Sequence, residues 1–297
     1  MNSNLTSRIL LGALMTIITA GCAATSAQTP GGAASPRGAY AQVHGLRMYY
    51  EAHGPPSGRP LVLLHGGGST IHTTFGKLLP LVARSRRVIG VEQQAHGHTA
   101  DIDRPLSLEQ MADDTAALLR QLDIPDADIL GFSSGGVVAM QLAMRHPQLV
   151  HSLILASTHS TRDGCYSYMW EGFPRATLDV MPAALRDGYL QASSNPEGLQ
   201  VLFRKTVTMM MGFKDLDSEA LRKVTVPTLI MTADGDVVRP EHSVELLRLF
   251  PHAQLAIFPG AVHGSYLGAA ESAGHKPGSQ VPTLTAVMID EFLNEHR

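Results

Sequence analysis

Asp128-Ile129-Leu130-Gly131-Phe132-Ser133-Ser134-Gly135-Gly136 reads as a short apolar strand that runs without a linker into a turn of small residues. Residues 137 to 145 then take up helical spacing, and Pro147 closes the helix. A serine with a glycine two residues away on each side is a loose pattern by itself. Between a buried strand and a helix it has a mechanical meaning: the serine is held on a sharp turn at the carboxyl edge of a sheet, with its hydroxyl presented outward. Gly131 and Gly135 fit because a Cβ at either position would crowd the adjoining strand and helix, and Phe132 can pack beneath the turn. At the start of the following helix the N–H of Ser134 is directed toward the space in front of the Ser133 hydroxyl, where it can stabilise a developing oxyanion.

Outward from this segment, strand and helix signals alternate. Residues 40 to 43 and 46 to 52 flank His44-Gly45 as a hairpin, and residues 61 to 64 form an apolar run of the kind buried in a parallel sheet. Residues 87 to 91 are the next strand. Residues 107 to 122 follow as a helix, with Leu108, Met111, Ala112, Thr115, Leu118, Leu119 and Leu122 on one face and Ser107 with Gln110 as a capping box. Further strands are expected at 153 to 156, 228 to 232 and 255 to 258, with helices from Pro240 to Leu249 and from about 282 to 293. Repeated units of this kind imply an α/β fold, a mostly parallel sheet covered on both faces by helices. The rhythm breaks between about 157 and 223. That stretch has helix-like patterning and carries Tyr166, Tyr168, Trp170, Phe173, Tyr189, Phe203 and Met209-Met210-Met211, which reads as a helical cap inserted after a central strand. For any one of the methionines, core filling is the simpler role.

His65-Gly66-Gly67-Gly68 lies directly after the 61 to 64 strand. With this loop and the Gly131-to-Gly135 turn, the chain resembles the α/β-hydrolase family of serine esterases and lipases over residues from about 39 to the carboxyl end. That resemblance implies that the loop supplies the second oxyanion N–H, from Gly67 or, in reserve, Gly68, and that His65 is a structural hydrogen-bonder. A serine hydroxyl needs a base, and the base needs an acid to orient it. In this fold they follow in the order serine, acid, histidine. After the 228 to 232 strand comes Ala233-Asp234-Gly235-Asp236, and after the last strand comes Pro259-Gly260-Ala261-Val262-His263-Gly264. The family's Gly-x-x-Asp acid loop maps the acid to Asp236. Ala233 stands where that loop has Gly, which leaves Asp234 as the competitor. His263 alone among the histidines after Ser133 combines a Pro-Gly approach with a strand end. Glu92-Gln93-Gln94-Ala95-His96-Gly97-His98-Thr99 resembles the family's Asp-x-x-Gly-x-Gly-x-Ser loop, with Glu92 and Ala95 at altered positions. It borders the site in relatives, and His96 and His98 without a third ligand make a weak metal motif.

The chemistry so implied is acyl transfer to water by Ser133, His263 and Asp236, with Gly67 and Ser134 at the oxyanion and no cofactor or metal required. A carboxylic ester with an apolar portion is the expected small-molecule substrate. Lactonase, thioesterase, carbon-carbon hydrolase and perhydrolase chemistry use the same triad and stay open at this point. A surface-anchored binding protein that kept the fold without turnover is the alternative from another class.

Over 297 residues the hydrophobic fraction is 44% and the charged fraction 16%, enough to bury a sizeable core. Lys plus Arg number 23 against 26 for Asp plus Glu, so there is no cationic excess to neutralise a phosphate backbone, which argues against nucleic acid as a partner. At the amino end, Arg8 precedes the apolar run ILLGALMTIITA of residues 9 to 20, too short to span a bilayer and of signal-peptide length. Thr19-Ala20-Gly21-Cys22 resembles a bacterial lipobox with Thr in place of the usual Leu, and implies lipidation of Cys22 and export to a cell-envelope membrane. Ordinary cleavage near Ala27 competes with it. Residues 23 to 38, rich in Gly, Pro, Ser and Ala, read as a tether. Loss or lipidation of Cys22 leaves Cys165 without a disulfide partner, and its expected role is that of a small buried hydrophobe.

Overall fold

A computed structural model describes residues 37 to 272 and 278 to 297. The expected signal peptide, the lipobox with Cys22, and the tether up to residue 36 lie outside the described residues. The last two tether positions do not: Arg37 and Gly38 pair with Ala52 and Glu51 as the start of β1 (Arg37–Val43), because the backbone ladder with β2 (Leu46–His53) continues to that point.

The remaining strands are β3 (Leu61–Leu64), β4 (Val88–Val91), β5 (Ala127–Phe132), β6 (Val150–Ala156), β7 (Thr228–Gly235) and β8 (Ala253–Val262). They form one eight-stranded sheet in the order β1-β2-β4-β3-β5-β6-β7-β8, antiparallel at β1, β2 and β4 and parallel from there on. The alternation of side chains along each strand divides the core between the two faces. Val62, Leu64, Ile129, Leu153 and Leu155 face one side, where α3 (Leu108–Gln121) and α4 (Ser134–Arg145) cover them. Leu61, Leu63, Leu130, Phe132 and Ile154 face the other, against α1 (Ile71–Phe75), α2 (Leu79–Val82) and the terminal helix. At five and four residues, α1 and α2 are too short to leave a period in the sequence.

In the expected capping box only one half forms. Ser107 Oγ accepts from Gln110 N at 3.3 Å, but the Gln110 amide turns to Asp114 at 3.0 Å instead of reaching back. The buried Asp114 carboxylate, which also pairs with Arg104, is the charged acceptor that draws the Gln110 amide away from the cap.

After β6 the chain builds the cap from α5 (Ser167–Gly172), α6 (Ala183–Ala192), α7 (Gly198–Met211) and α8 (Ser218–Arg222). It returns through β7, α9 (Pro240–Leu249), β8 and α10 (Val281–Glu295). The cap's aromatic side chains have separate fates. Tyr166 and Tyr168 stack on each other on the outer surface, whereas Trp170 lies between the Arg162 guanidinium and Phe213. Met209 and Met210 are buried and Met211 is half exposed.

The sequential strand order reverses around β3, whose neighbours are β4 and β5, and ligands of open α/β sheets bind beyond the carboxyl ends of the strands at such a point. Register fixes which loops meet there. Leu64 pairs with Gly131, Phe132 with Ala156, Ala156 with Met231, and Gly235 with Val262. The residues that follow each strand are therefore brought to one edge of the sheet.

Candidate active site

Ser133 takes φ 55° and ψ −122°, a conformation that costs a non-glycine residue about 1–3 kcal/mol and must be held by its surroundings. The restraints are visible. Ser133 N–H donates to Ala156 O at 2.9 Å, and Ser133 O accepts from Gly136 N at 2.9 Å and from Thr158 Oγ1 at 2.8 Å. Close approach explains the flanking glycines. A Cβ on Gly131 would lie 2.2 Å from Gly135 O, and one on Gly135 would lie 2.2 Å from Leu64 O. Phe132 packs below the turn with its ring 4.8 Å from that of His263.

His263 Nε2 lies 3.1 Å from Ser133 Oγ, and its Nδ1 lies 2.7 Å from Asp236 Oδ1. Asp236 is buried, and it also accepts from Val238 N at 3.2 Å and from the Ser157 hydroxyl. Burial pushes its carboxyl pKa up, but the charge and hydrogen bond of His263, together with the donors just named, hold it below its ordinary value. For His263 burial works downward, and the Asp236 charge overrides it, so the imidazole lies above its ordinary pKa. Asp234 points elsewhere: it is exposed, and its carboxylate ties the end of β7 to Gly260 N at 2.9 Å.

At the helix start the Ser134 N–H has no intrahelical acceptor, as the first amides of a helix never do, and among the described residues it donates to none elsewhere. Gly67 N–H is equally uncommitted, and the Gly67 α-carbon faces Ser134, whose Oγ would be 3.4 Å from a Cβ placed there. The reserve donor is spent: Gly68 N–H donates to His96 Nε2 at 3.0 Å.

His65 and His96 hold this loop from behind. His65 Nδ1 donates to Gly66 O at 2.8 Å while its Nε2 accepts from Gln93 N at 3.1 Å. His96 Nδ1 donates to Gln94 O at 2.8 Å. Each ring gives one hydrogen bond and takes one, an arrangement that only the neutral imidazole can make. Burial supports it by lowering the pKa to about 3 for His65 and about 4 for His96. His98 turns away to Glu92 at 2.9 Å, and no metal-holding group of His, Cys, Asp or Glu occurs among the described residues. Ala95 occupies the left-handed region at φ 67°, where the similar family loop places Gly. Cys165 is buried, with its thiol pushed up to about 12 by desolvation, which makes it a poor thiolate.

Residues 61 to 274 match the model of the alpha/beta hydrolase family. The chain belongs to that family. This α/β-hydrolase is 30% identical over 241 residues to a pimeloyl-[acyl-carrier protein] methyl ester esterase of Neisseria meningitidis, covering 73% of the chain and 91% of that relative. In fold it is similar to an esterase from Rhodococcus sp. ECU1013, with a TM-score of 0.68, 22% identity and coverage of 89% and 100%. A meta-cleavage product hydrolase from Pseudomonas fluorescens gives a TM-score of 0.68 at 19% identity, covering 88% of this chain and 98% of that one.

Two cavities of the hydrolase lie beside the cap. A groove of 680 Å³ between residues 103 to 109 and α7 is the larger, but Ser133, Asp236 and His263 are absent from its walls. A smaller cavity of 220 Å³ begins at Gly67 and Gly68 and runs beneath the cap between Phe173, Met181, Leu185 and Phe203. Ser133, Asp236 and His263 are absent from its walls as well, and Gly67 is what joins it to the site. Sequence reading assigned no part to Ser157, Thr158 or Tyr266. The available signal was that Ser157 and Thr158, two hydroxyls, directly follow a buried strand at the sheet edge that carries the other loops.

Proposed function

We propose that this chain is a serine carboxylesterase-like hydrolase acting on small esters with a compact apolar portion. The observation that carries this reading is the unbroken hydrogen-bonded series Ser133–His263–Asp236 beside the uncommitted N–H groups of Gly67 and Ser134. His263 takes the hydroxyl proton as Ser133 attacks the ester carbonyl, and Asp236 holds the imidazolium. Gly67 and Ser134 receive the oxyanion. His263 then returns the proton to the leaving alcohol, and water cleaves the acyl-enzyme by the same steps in reverse roles. The family relationship to an ester-cleaving relative supports the same class. A fluorophosphonate probe tests it: one adduct on the Ser133 peptide is expected, and an unlabelled, folded wild type would overturn it.

The 220 Å³ cavity sets the size of the apolar portion. Leu185→Trp fills it from α6. Turnover of p-nitrophenyl octanoate is expected to fall at least about tenfold relative to p-nitrophenyl acetate, since each excluded methylene is worth about 1–3 kcal/mol of discrimination. Equal losses on both esters would remove the cavity from the substrate path.

The amino-terminal pattern supports export, with the mature chain anchored through a lipidated Cys22 at a cell-envelope membrane. No helix among the described residues is long and apolar enough to cross a membrane. Mass spectrometry of the membrane fraction is expected to find a diacylated peptide beginning at Cys22; an unmodified terminus near Ala27 would replace the anchor with ordinary cleavage.

A further inference from the structure

Behind Asp236 lies a second, wholly buried set of hydrogen bonds. Ser157 Oγ is 2.5 Å from Asp236 Oδ2 and 2.8 Å from the Tyr266 hydroxyl, which is itself 3.0 Å from Met231 O. Ser157 is 1% exposed and Tyr266 0%. The protons can be counted. A carboxylate and a carbonyl only accept, so the single Ser157 proton goes to Asp236, and the single Tyr266 proton is shared between Ser157 Oγ and Met231 O. Ser157 also stands at φ 47°, strained for a non-glycine residue, with its N–H on Met231 O at 2.7 Å. That backbone turn aims the hydroxyl at the acid.

We propose that Ser157, backed by Tyr266, is a positioning residue that fixes the rotation of the Asp236 carboxylate so that Oδ1 meets His263 Nδ1. The inference rests on the serine-hydrolase reading above. Of the two Asp236 oxygens, Oδ1 is shared between His263 and Val238 N, whereas among the described residues Oδ2 has Ser157 at short range and otherwise only Thr232 Oγ1 at 3.5 Å. Without Ser157, one oxygen of a buried carboxylate loses its close partner. The carboxylate then gains freedom to turn, and more of its charge is left to act on the imidazole. The other ionisable groups facing this pair are Glu271 and His159 toward His263, and Cys165, Tyr168 and Tyr266 toward Asp236.

Ser157→Ala, Ser157→Gly and Tyr266→Phe, made in the full chain beside wild type, test this with p-nitrophenyl butyrate turnover from pH 5 to 9, thermal unfolding and fluorophosphonate labelling. Ser157→Ala and Ser157→Gly are expected to lower kcat about tenfold or more, with KM unchanged because Ser157 lines no substrate cavity. The acid limb of kcat/KM is expected to move up by about half a pH unit as the imidazolium is held more tightly. Tyr266→Phe should give the same changes at smaller size. Glycine accepts a positive φ without strain, so Ser157→Gly should keep its unfolding temperature and separate positioning from stability. Labelled wild type together with Ser157 variants of unchanged kcat and unchanged acid limb would overturn the proposal alone. So would a loss that follows the folded fraction while the limb stays in place. A wild type that neither labels nor turns over would overturn the serine-hydrolase reading and this proposal with it.

Discussion

Ser133→Ala is expected to abolish ester turnover, with kcat falling by about six orders of magnitude toward the residual rate that oxyanion donors and binding alone support. The size follows from what is removed. In the proposed mechanism Ser133 Oγ forms the acyl-enzyme, and its neighbours are poor substitutes: the His263 imidazole is bonded to Ser133 Oγ and not to Ser134 Oγ, and Cys165 is held as a neutral thiol. Loss of the fold would be a trivial cause, and the geometry argues against it. Among the described residues the Ser133 side chain has one hydrogen-bond partner, His263 Nε2, while its backbone bonds to Ala156, Gly136 and Thr158 are indifferent to the side chain. Stability should therefore change by no more than about 1 kcal/mol. Kinetics, probe labelling and thermal unfolding on the same two proteins check it. Turnover retained by the alanine variant would remove Ser133 from the chemistry, and a wild type that binds esters without cleaving them would favour the binding-protein alternative.

How much of this was legible beforehand depends on whether the signal was local. The turn at Ser133 could be read because strand, small residues and helix are contiguous, and the alternation from Leu61 to Phe258 could be read because buried strands are continuous apolar runs. The α/β fold and the family follow from the same pattern. Boundaries were less legible. β8 runs to Val262 and not to residue 258, because pairing with β7 resumes at Gly235 after an irregularity that no composition records. The support for Asp236 was hidden for another reason. Ser157 and Tyr266 lie 79 and 30 positions from it, and what joins them is the β6-β7 register and the packing of residues 263 to 269 against the sheet. A hydroxyl at a strand end has no distinguishing period. The cap was visible as a break in rhythm, but which aromatics turn inward was not: Tyr166 and Tyr168 face solvent while Phe173 and Phe203 line the cavity, a choice made by the helix orientations.

The two aspartates of the Asp234-Gly235-Asp236 loop offer the second large expected effect. Asp236→Asn should lower kcat by about four orders of magnitude, whereas Asp234→Asn should change it less than about threefold. In the native arrangement the Asp236 carboxylate only accepts, which forces the His263 proton onto Nδ1 and leaves Nε2 bare to take the Ser133 proton. An Asn amide placed there can present N–H to Nδ1. The ring then carries its proton on Nε2, where it faces Ser133 Oγ and cannot act as base. The charge that holds the imidazolium is gone as well, so the His263 pKa, raised in the native protein, must fall. The acid limb of the residual kcat/KM should move to lower pH, opposite to the shift expected for Ser157→Ala. Asp234→Asn removes a charge from an exposed side chain that accepts one hydrogen bond among the described residues, from Gly260 N, and the Asn carbonyl can keep that bond. The pair of variants thus separates charge lost at the loop from charge lost at the histidine. Parallel pH-rate profiles decide it, and the reverse ranking would assign the acid to Asp234.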